Sequence, residues 1–492
     1  MEMNLKKLLS EWALTLVLAS CAGPAQDVVV KPITGTWVNL AWKDVRNKYT
    51  NPVDVDMTCP ALWRAKVGEW HDMGLEYLIL MEVANEGKAY YPSSLMPHIY
   101  SEEGESPVSA ILDEAGRLGM KVLLSTGWAE NQDDDLRRPE IRERQQQIMQ
   151  ELAALYGDSP AFWGWYLPVE DCITPVFPRT AVEAVNTLVG QARALTPGKK
   201  TLISPYGMVF ADYDNPEFAA NIRALQVDII AYQDEVGCVR EPFPLPRLRE
   251  HWKKLRQVHE GSGIEMWANC ETFTWEGNTN DRTSALIPAA YARLLAQQAA
   301  ASEGGVSRIV SFMFDGIIEY PDSPYRLGQG EASVTLWRDY MAWKGGDPYW
   351  KHAEAALRGT LCGIQDLHCT DGRLLDGTLA EERPDDSAWS VYTPGHHAIS
   401  VTLPSGNAPG RIGLRALDYA PEGILPPECI SVYGADGSLL ARQPFTPFAN
   451  NRHDAWVDYI DIPLPPAETP SLTLEFDTDH AVYLDELYVF NR

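Results

Sequence analysis

The chain has 492 residues, 22% of them charged, and a formal net charge of −27. This length predicts two or three units, or one large barrel followed by a smaller module. The acidic surface would repel nucleic acid and anionic membrane, so we expect no nucleic acid partner and membrane contact only through a lipid anchor. We also expect a monomer. A GxGxxG after a strand, a P-loop, a GxSxG elbow, an HExxH and a CxxC pair are all missing. We therefore predict no organic cofactor and no metal centre.

The first 20 residues have the pattern of a bacterial lipoprotein signal peptide. Lys6 and Lys7 precede a short apolar run, and residues 18–21 (LASC) resemble a lipobox. The run is too short to span a bilayer. We expect a mature chain lipidated at Cys21, with residues 21–32 as a tether, in the bacterial cell envelope on the periplasmic or outer-membrane side. An ordinary secretory signal or a buried amino-terminal helix is the alternative.

Residues 33–346 alternate between strand-like and helix-like segments. Continuous apolar runs separated by amphipathic stretches are typical of a parallel sheet covered by helices. Eight such units predict closure into a (β/α)8 barrel, although a doubly wound sheet also fits the alternation. The strand-like runs begin near Ile33, Tyr77, Lys121, Ala161, Lys200, Asp228, Glu265 and Arg308.

Residues 347–492 have a different pattern of apolar and polar residues. From about Ala398, short segments with period-two alternation, such as AISVTLP and SLTLEFDT, are separated by Gly, Pro, Asn and Asp. This pattern predicts an antiparallel β-sandwich of the jelly-roll kind, preceded by a linker. The predicted fold class is thus α/β, a TIM barrel followed by a smaller sandwich domain.

Several predicted barrel strands end in a carboxylate. Glu170 closes AFWGWYLPVE, Asp234 closes DIIAYQD, Glu271 closes EMWANCE, and Asp315 follows RIVSFMF. Because parallel strands of a closed barrel end at one rim, these acids are expected to meet there. Glycosidic bond cleavage needs one carboxylic acid and one carboxylate on either side of the bond. The pattern therefore predicts a glycosidase site.

We assign Glu170 as general acid/base, because Trp165 and Tyr166 beside it would raise its pKa by desolvation. Glu271 is assigned as nucleophile or base. Asp234 competes with Glu271, since it would serve as the base of an inverting pair or, together with Gln233, hold adjacent sugar hydroxyls.

Aromatic rings at the same rim would stack on the apolar faces of a sugar, although Trp and Tyr also fill barrel cores. The predicted substrate-binding residues are Trp37, Trp128, Tyr166, Tyr206, Tyr232, Gln233, Asn269, Trp275 and Asp315. The acidic run Asn131 to Asp135 would ligate a structural calcium ion or, alternatively, begin a solvated helix.

The positions of Glu170 and Glu271 resemble those in the large superfamily of retaining barrel glycosidases, where the acid/base closes the fourth strand and the nucleophile the seventh. That superfamily usually has Asn before the acid/base, and Val169 stands there in this chain. The segments GTWVN, GWYLPVED, YQDEVG and WANCETF, in that order, resemble the bacterial lipoprotein family called domain of unknown function 4434. This resemblance implies a glycosidase-like barrel, often followed by a β-sandwich, that processes glycans at the envelope of polysaccharide-degrading gut bacteria.

These observations predict a lipid-anchored glycoside hydrolase acting on a poly- or oligosaccharide. A noncatalytic glycan-binding lipoprotein on a barrel scaffold is the alternative. A polysaccharide lyase is disfavoured because Lys and Arg are scarce at the strand ends.

Overall fold

The structure is a computed structural model. It describes residues 28–41, 55–101, 104–125, 135, 137–237, 243–276, 285–328, 330–358, 366–406, 408–445 and 455–491. Within these ranges no helix combines the length and the apolarity that a membrane crossing requires. The predictions for Cys21 and Trp128, and for all but the last residue of the Asn131 to Asp135 run, lie outside the described residues.

Eight parallel strands close into a barrel, which confirms the predicted fold class. Around the barrel they follow the order β1, β8, β7, β6, β5, β4, β3, β2. They are β1 (Ile33–Val38), β2 (Tyr77–Leu80), β3 (Lys121–Ser125), β4 (Phe162–Tyr166), β5 (Lys200–Ile203), β6 (Ile229–Gln233), β7 (Glu265–Glu271) and β8 (Arg308–Phe312). Nearly all of their residues are buried, as strands covered on both faces must be.

A helix follows each barrel strand. The eight are α1 (Pro60–Asp72), α2 (Pro107–Leu118), α3 (Pro139–Tyr156), α4 (Arg179–Leu195), α5 (Pro216–Ala224), α6 (Leu248–His259), α7 (Tyr291–Glu303) and α8 (Glu331–Lys344). Four of them begin with proline, whose fixed φ and missing N–H suit the first helical turn. Between β7 and α7 the chain forms a hairpin from Phe273–Trp275 and Leu286–Pro288.

Side chains fill the barrel interior below the rim. The Tyr77 ring lies edge-on to Trp163 and Trp267, with ring centroids 5.2 and 5.1 Å away. Trp37 meets Tyr166 edge to face at 5.8 Å. The barrel is therefore a packed core, and any ligand site lies above it at the carboxyl ends of the strands.

Two antiparallel sheets form the carboxy-terminal domain, as predicted. The strands are β9 (His368–Cys369), β10 (Ser390–Tyr392), β11 (Gly395–Thr402), β12 (Pro409–Asp418), β13 (Cys429–Gly434), β14 (Leu439–Pro444), β15 (Trp456–Pro463), β16 (Ser471–Thr478) and β17 (Val482–Asn491). One sheet has the order β9, β11, β16, β13, β14, and the other β10, β17, β12, β15. Alternate residues of the strands face a shared core.

The two domains join through a short helix, α9 (Pro348–Leu357), which occupies the start of the predicted linker. Its Trp350 is 1% exposed. The indole stacks on Phe490 of the sandwich at 4.2 Å and lies edge-on to Tyr291 of α7 at 4.6 Å. One side chain thus packs against both domains.

Replacing Trp350 by alanine is expected to destabilise the protein by about 3–5 kcal/mol, because the substitution leaves a cavity between the domains. Chemical denaturation followed by fluorescence and circular dichroism measures the change. Val391→Ala, at a position that is 53% exposed, is the control. A loss for Trp350→Ala no larger than the control's would contradict this account of the interface.

Candidate functional site

Glu271 is the last residue of β7 and shares the inward-facing side of that strand with Trp267 and Asn269. It therefore stands at the rim, above the filled lumen. Its side chain is 5% exposed. The backbone N–H of Gly237 donates to Oε2 at 2.8 Å. A Cβ on residue 237 would collide with the carbonyl oxygen of Phe273, so glycine allows this close approach.

The backbone of Glu271 is held on both sides. Its N–H donates to Oδ1 of Asp234 at 3.1 Å. Its carbonyl oxygen accepts from Nη2 of Arg293 at 2.7 Å and from Nε2 of Gln297 at 3.1 Å. Arg293 and Gln297 lie one turn apart on α7, which places both on one helical face. Gln297 also donates to Oδ2 of Asp234 at 2.7 Å. These bonds fix the end of β7.

Burial raises the pKa of Glu271 well above its ordinary value, and the charges of Asp234 and Glu235 raise it further. The cation of Arg293 and the Gly237 amide oppose the increase. Asp234, whose pKa is also raised by burial, accepts two hydrogen bonds that favour its ionised form. Both carboxyls therefore have raised pKa values, and for Glu271 the charge of Asp234 adds to the effect of burial.

Glu170 lies four residues beyond β4 and is half-buried. The hydroxyl of Tyr166 donates to its Oε1 at 3.1 Å. Burial, with the charges of Glu170 and Glu82, raises the pKa of Tyr166 well above its ordinary range, so Tyr166 remains a donor. Trp165, expected to desolvate Glu170, instead faces the helices and donates from its indole to Oγ1 of Thr196 at 2.8 Å.

A second pair of carboxyls occupies the rim beside β1. Glu82 follows β2 and is fully buried, while Asp315 follows β8 and is 1% exposed. Asp315 accepts from the backbone N–H of Asn39 at 2.8 Å, and Glu82 accepts from that of Ala41. Both carboxyls therefore bind the backbone of the segment that follows β1. Among the described residues, Oε2 of Glu82 and Oδ1 of Asp315 have no hydrogen-bond partner.

Three of the predicted site residues make buried structural contacts. Asp234 is 1% exposed and accepts hydrogen bonds from Gln297 of α7 and from the backbone N–H of Glu271. Tyr232 faces the outside of the barrel, where its hydroxyl meets Nε2 of His259 at 2.7 Å. Trp37 is 1% exposed in the packed lumen. These contacts give each residue a structural role, and the predicted roles of all three in catalysis or sugar binding stay predictions.

The polar predictions next to Glu271 do come together. Gln233 and Asn269 face the lumen side of adjoining strands, and both reach Ser204 after β5. Gln233 donates to its carbonyl at 3.0 Å, and Asn269 to its hydroxyl at 3.3 Å. Within the described residues, Oδ1 of Asn269 is buried without a partner.

Two of the predicted aromatic residues lie at the rim. Tyr206 follows β5 and is half-buried, and its backbone pairs with the segment after Glu170. Trp275 lies in the hairpin after β7, also half-buried, and its ring is perpendicular to that of Phe273.

Sequence reasoning missed Arg293, Gln297 and the anchoring amide of Gly237. The signal for the first two was Arg and Gln in YARLLAQQAAAS, a segment otherwise almost free of charge. In the structure every residue of that segment is buried. A polar side chain in such a helix needs an internal partner, and here the partners are the ends of β6 and β7.

Within the described ranges, no group of three or more His, Cys, Asp or Glu residues has an arrangement that suits a metal ion. The calcium prediction falls almost wholly outside those ranges and stays a prediction.

Comparison with solved structures finds similar barrels among glycoside hydrolases. A candidate alpha-L-fucosidase of Bacteroides thetaiotaomicron VPI-5482 is 18% identical over 66% of this chain and 98% of its own, with a TM-score of 0.50. A glycoside hydrolase family 5 protein of Bacteroides vulgatus ATCC 8482 is 10% identical over 87% and 86%, with a TM-score of 0.39. The first likeness shows the fold alone, and no conclusion rests on the second.

The fold is thus a closed parallel barrel, similar to that of the first solved structure above. Residues 33–325 match the family described as domain of unknown function (DUF4434), and the chain belongs to this family. A comparison with curated proteins found no match.

Stability is expected to depend on pH through Glu82. Burial raises its pKa from 4.5 to about 8, and that of Asp315 from 3.8 to about 7. The folded state therefore binds more protons than the unfolded state in this range, and stability falls as pH rises from about 5 to about 8.

In the Glu82→Gln variant, the decrease in Tm between about pH 5 and about pH 8 should be smaller than in the wild type by at least about 2 °C. Calorimetry at several pH values measures this difference. Glu86→Gln, at an exposed position nearby, should follow the wild type. Parallel Tm curves for wild type and Glu82→Gln would refute the role of Glu82.

Proposed function

We propose that the barrel is a glycoside hydrolase in which Glu170 and Glu271 form the carboxyl pair. The observation that carries the proposal is the environment of Glu271, a buried carboxyl at the end of β7 held by two neighbouring strands and α7. Glu170 stands three strands away, beyond the end of β4. Carboxyl groups on such strands approach a sugar at the rim from different sides.

The environments of the two carboxyls favour roles opposite to those assigned from sequence. Burial and the neighbouring charge of Asp234 raise the pKa of Glu271, which favours its protonated form and suits it to serve as the general acid. Glu170 accepts the Tyr166 hydroxyl, a bond that stabilises an ionised carboxylate. Glu170 then acts as nucleophile or base.

Recognition of the sugar falls to the polar cluster beside Glu271. Gln233 is half-buried and offers its side-chain amide to a sugar hydroxyl, with Asn269 beside it on the adjoining strand. Tyr206 and Trp275 supply aromatic surface. No cofactor is needed, since both steps of the chemistry use carboxyl groups.

Substrates with different leaving groups separate the two roles. Wild type and variants are assayed on α- and β-glycosides of glucose, galactose, mannose and fucose, carrying either 2,4-dinitrophenol or a second sugar as leaving group. Glu271→Gln should slow cleavage between sugars by about 10²- to 10⁴-fold but affect dinitrophenyl glycosides far less, because that leaving group departs without protonation. Glu170→Gln should slow both by about 10²-fold or more.

Asp171→Asn is the matched control, since Asp171 adjoins Glu170 but pairs with Arg137 at 3.2 Å. It should keep near wild-type turnover. Unchanged turnover in both Gln variants would exclude this pair, and sugar binding by a wild type that cleaves none of the panel would support the noncatalytic alternative.

We also propose that the protein is a lipoprotein of the cell envelope, anchored at Cys21. The support is the sequence of residues 1–21 alone. Expression in a bacterial host with an alkyne-tagged fatty acid should label the wild-type protein, and Cys21→Ser should remain unlabelled and leave the membrane fraction. Equal labelling of both would contradict the anchor.

A further inference from the structure

A cavity of about 190 Å³ lies between the barrel and the sandwich. We define the interdomain cleft by Phe243, Thr274 and Arg293 of the barrel and by Glu382, Arg415 and Trp456 of the carboxy-terminal region. A space of this size holds several water molecules. That is far more than a packing defect of an ordinary core.

Two buried arginines of the cleft have hydrogen-bonding capacity to spare. Arg415 is 2% exposed, and its Nη atoms are used by Asp485 and by the carbonyl of Ala380. Arg293 is 8% exposed, and its Nη2 is used by two backbone carbonyls. Within the described residues, Nε of each arginine has no partner. These Nε atoms are closed to solvent. The described hydrogen bonds of Arg293 use only its Nη2, so the guanidinium that lines the cleft keeps Nη1 as a donor for a ligand oxygen.

Glu382 provides an acceptor in the same space. Its side chain is accessible to water, and no hydrogen bond or ion pair of the described structure uses it. Desolvation raises its pKa, and the charges of Arg415 and Arg293 oppose the increase. The cleft thus combines N–H donors with a carboxylate acceptor, as hydroxyl recognition requires.

Aromatic surface completes the site. Trp456 and Tyr459, both half-buried on β15, line the cleft. Flat rings beside donors and acceptors suit a pyranose, which has apolar faces and a hydroxyl edge. An acidic ligand is disfavoured, since Asp485 already pairs with Arg415 and Glu382 would repel a second carboxylate.

We propose that the interdomain cleft binds a neutral sugar unit. This inference rests on the proposed function in one respect, because the choice of a sugar as the ligand follows from it. The inference adds a sugar-binding subsite that residues of both domains form. Arg293 connects this subsite to the candidate catalytic residue, because the same guanidinium lines the cleft and bonds to the carbonyl of Glu271. A glycan chain occupying both places would span from the rim to the sandwich.

Binding is tested on the full-length protein by saturation-transfer NMR titrations with glucose, galactose, mannose and fucose, and with glucuronate as the acidic comparator. At least one neutral sugar should bind wild type, and Glu382→Gln and Trp456→Ala should each weaken that binding by about tenfold or more. Glu170→Gln alters only the rim, so this variant should still bind the sugar in the interdomain cleft. Glu428→Gln, at an exposed position of the same domain outside the cleft, is the matched control. Tm values verify that each variant folds.

Unchanged sugar affinity in both Glu382→Gln and Trp456→Ala would overturn the proposal, as would the absence of neutral-sugar binding to wild type. Binding of glucuronate alone would refute the neutral class. These outcomes do not depend on turnover. A wild-type protein that binds sugar in the cleft but hydrolyses no glycoside would disprove the proposed function, and the proposal of sugar binding in the cleft would still hold.

Discussion

The barrel rim removes four carboxyl groups from water, and no lysine or arginine of the described structure forms an ion pair with any of them. Glu82, Asp234, Glu271 and Asp315 are each at most 5% exposed. Ionising a carboxyl in such a place costs several kcal/mol, and a group that cannot offset this cost keeps its proton. Hydrogen bonds from backbone N–H groups and from the Gln297 amide offset part of this cost, and they offset it to different extents in the four carboxyls. This inequality distinguishes Asp234, which accepts two hydrogen bonds from its neighbours, from Glu271, whose pKa is raised well above its ordinary value by burial and by neighbouring charges.

The same constraint explains the surrounding construction. A glycine at position 237 brings an amide to Glu271, and Arg293 places a cation nearby while bonding to backbone carbonyls. Because Arg293 bonds to the main chain, its charge moderates the pKa of Glu271 without forming a salt bridge that would hold the carboxylate ionised. The carboxy-terminal domain participates as well, since Glu382 and Tyr459 face this arginine across the domain boundary.

Barrel closure and the positions of the acid-tipped strands could be predicted from sequence, because alternating apolar and amphipathic segments determine both. The direction of each side chain past a strand end could not. Asp234 and Glu271 each terminate an apolar run, yet one turns outward to α7 and the other stays over the lumen. The same holds for Tyr232 and Trp37, because the sequence around an aromatic residue near a rim is similar whether the ring packs in a core or faces a ligand. Glu170 was placed correctly at the rim, but its predicted neighbour Trp165 faces the helices.

We propose that a sugar binds over the lumen between Glu170 and Glu271. A crystal structure of the Glu170→Gln variant with an oligosaccharide that the wild type cleaves would show where the sugar lies. We expect a sugar ring at the rim, with Glu271 within hydrogen-bonding distance of the glycosidic oxygen and the position-170 amide on the other side of the anomeric carbon. A separation of about 5 Å between the two groups indicates retention, and about 6.5–9.5 Å inversion. An oligosaccharide bound with its scissile bond away from both residues would contradict the account.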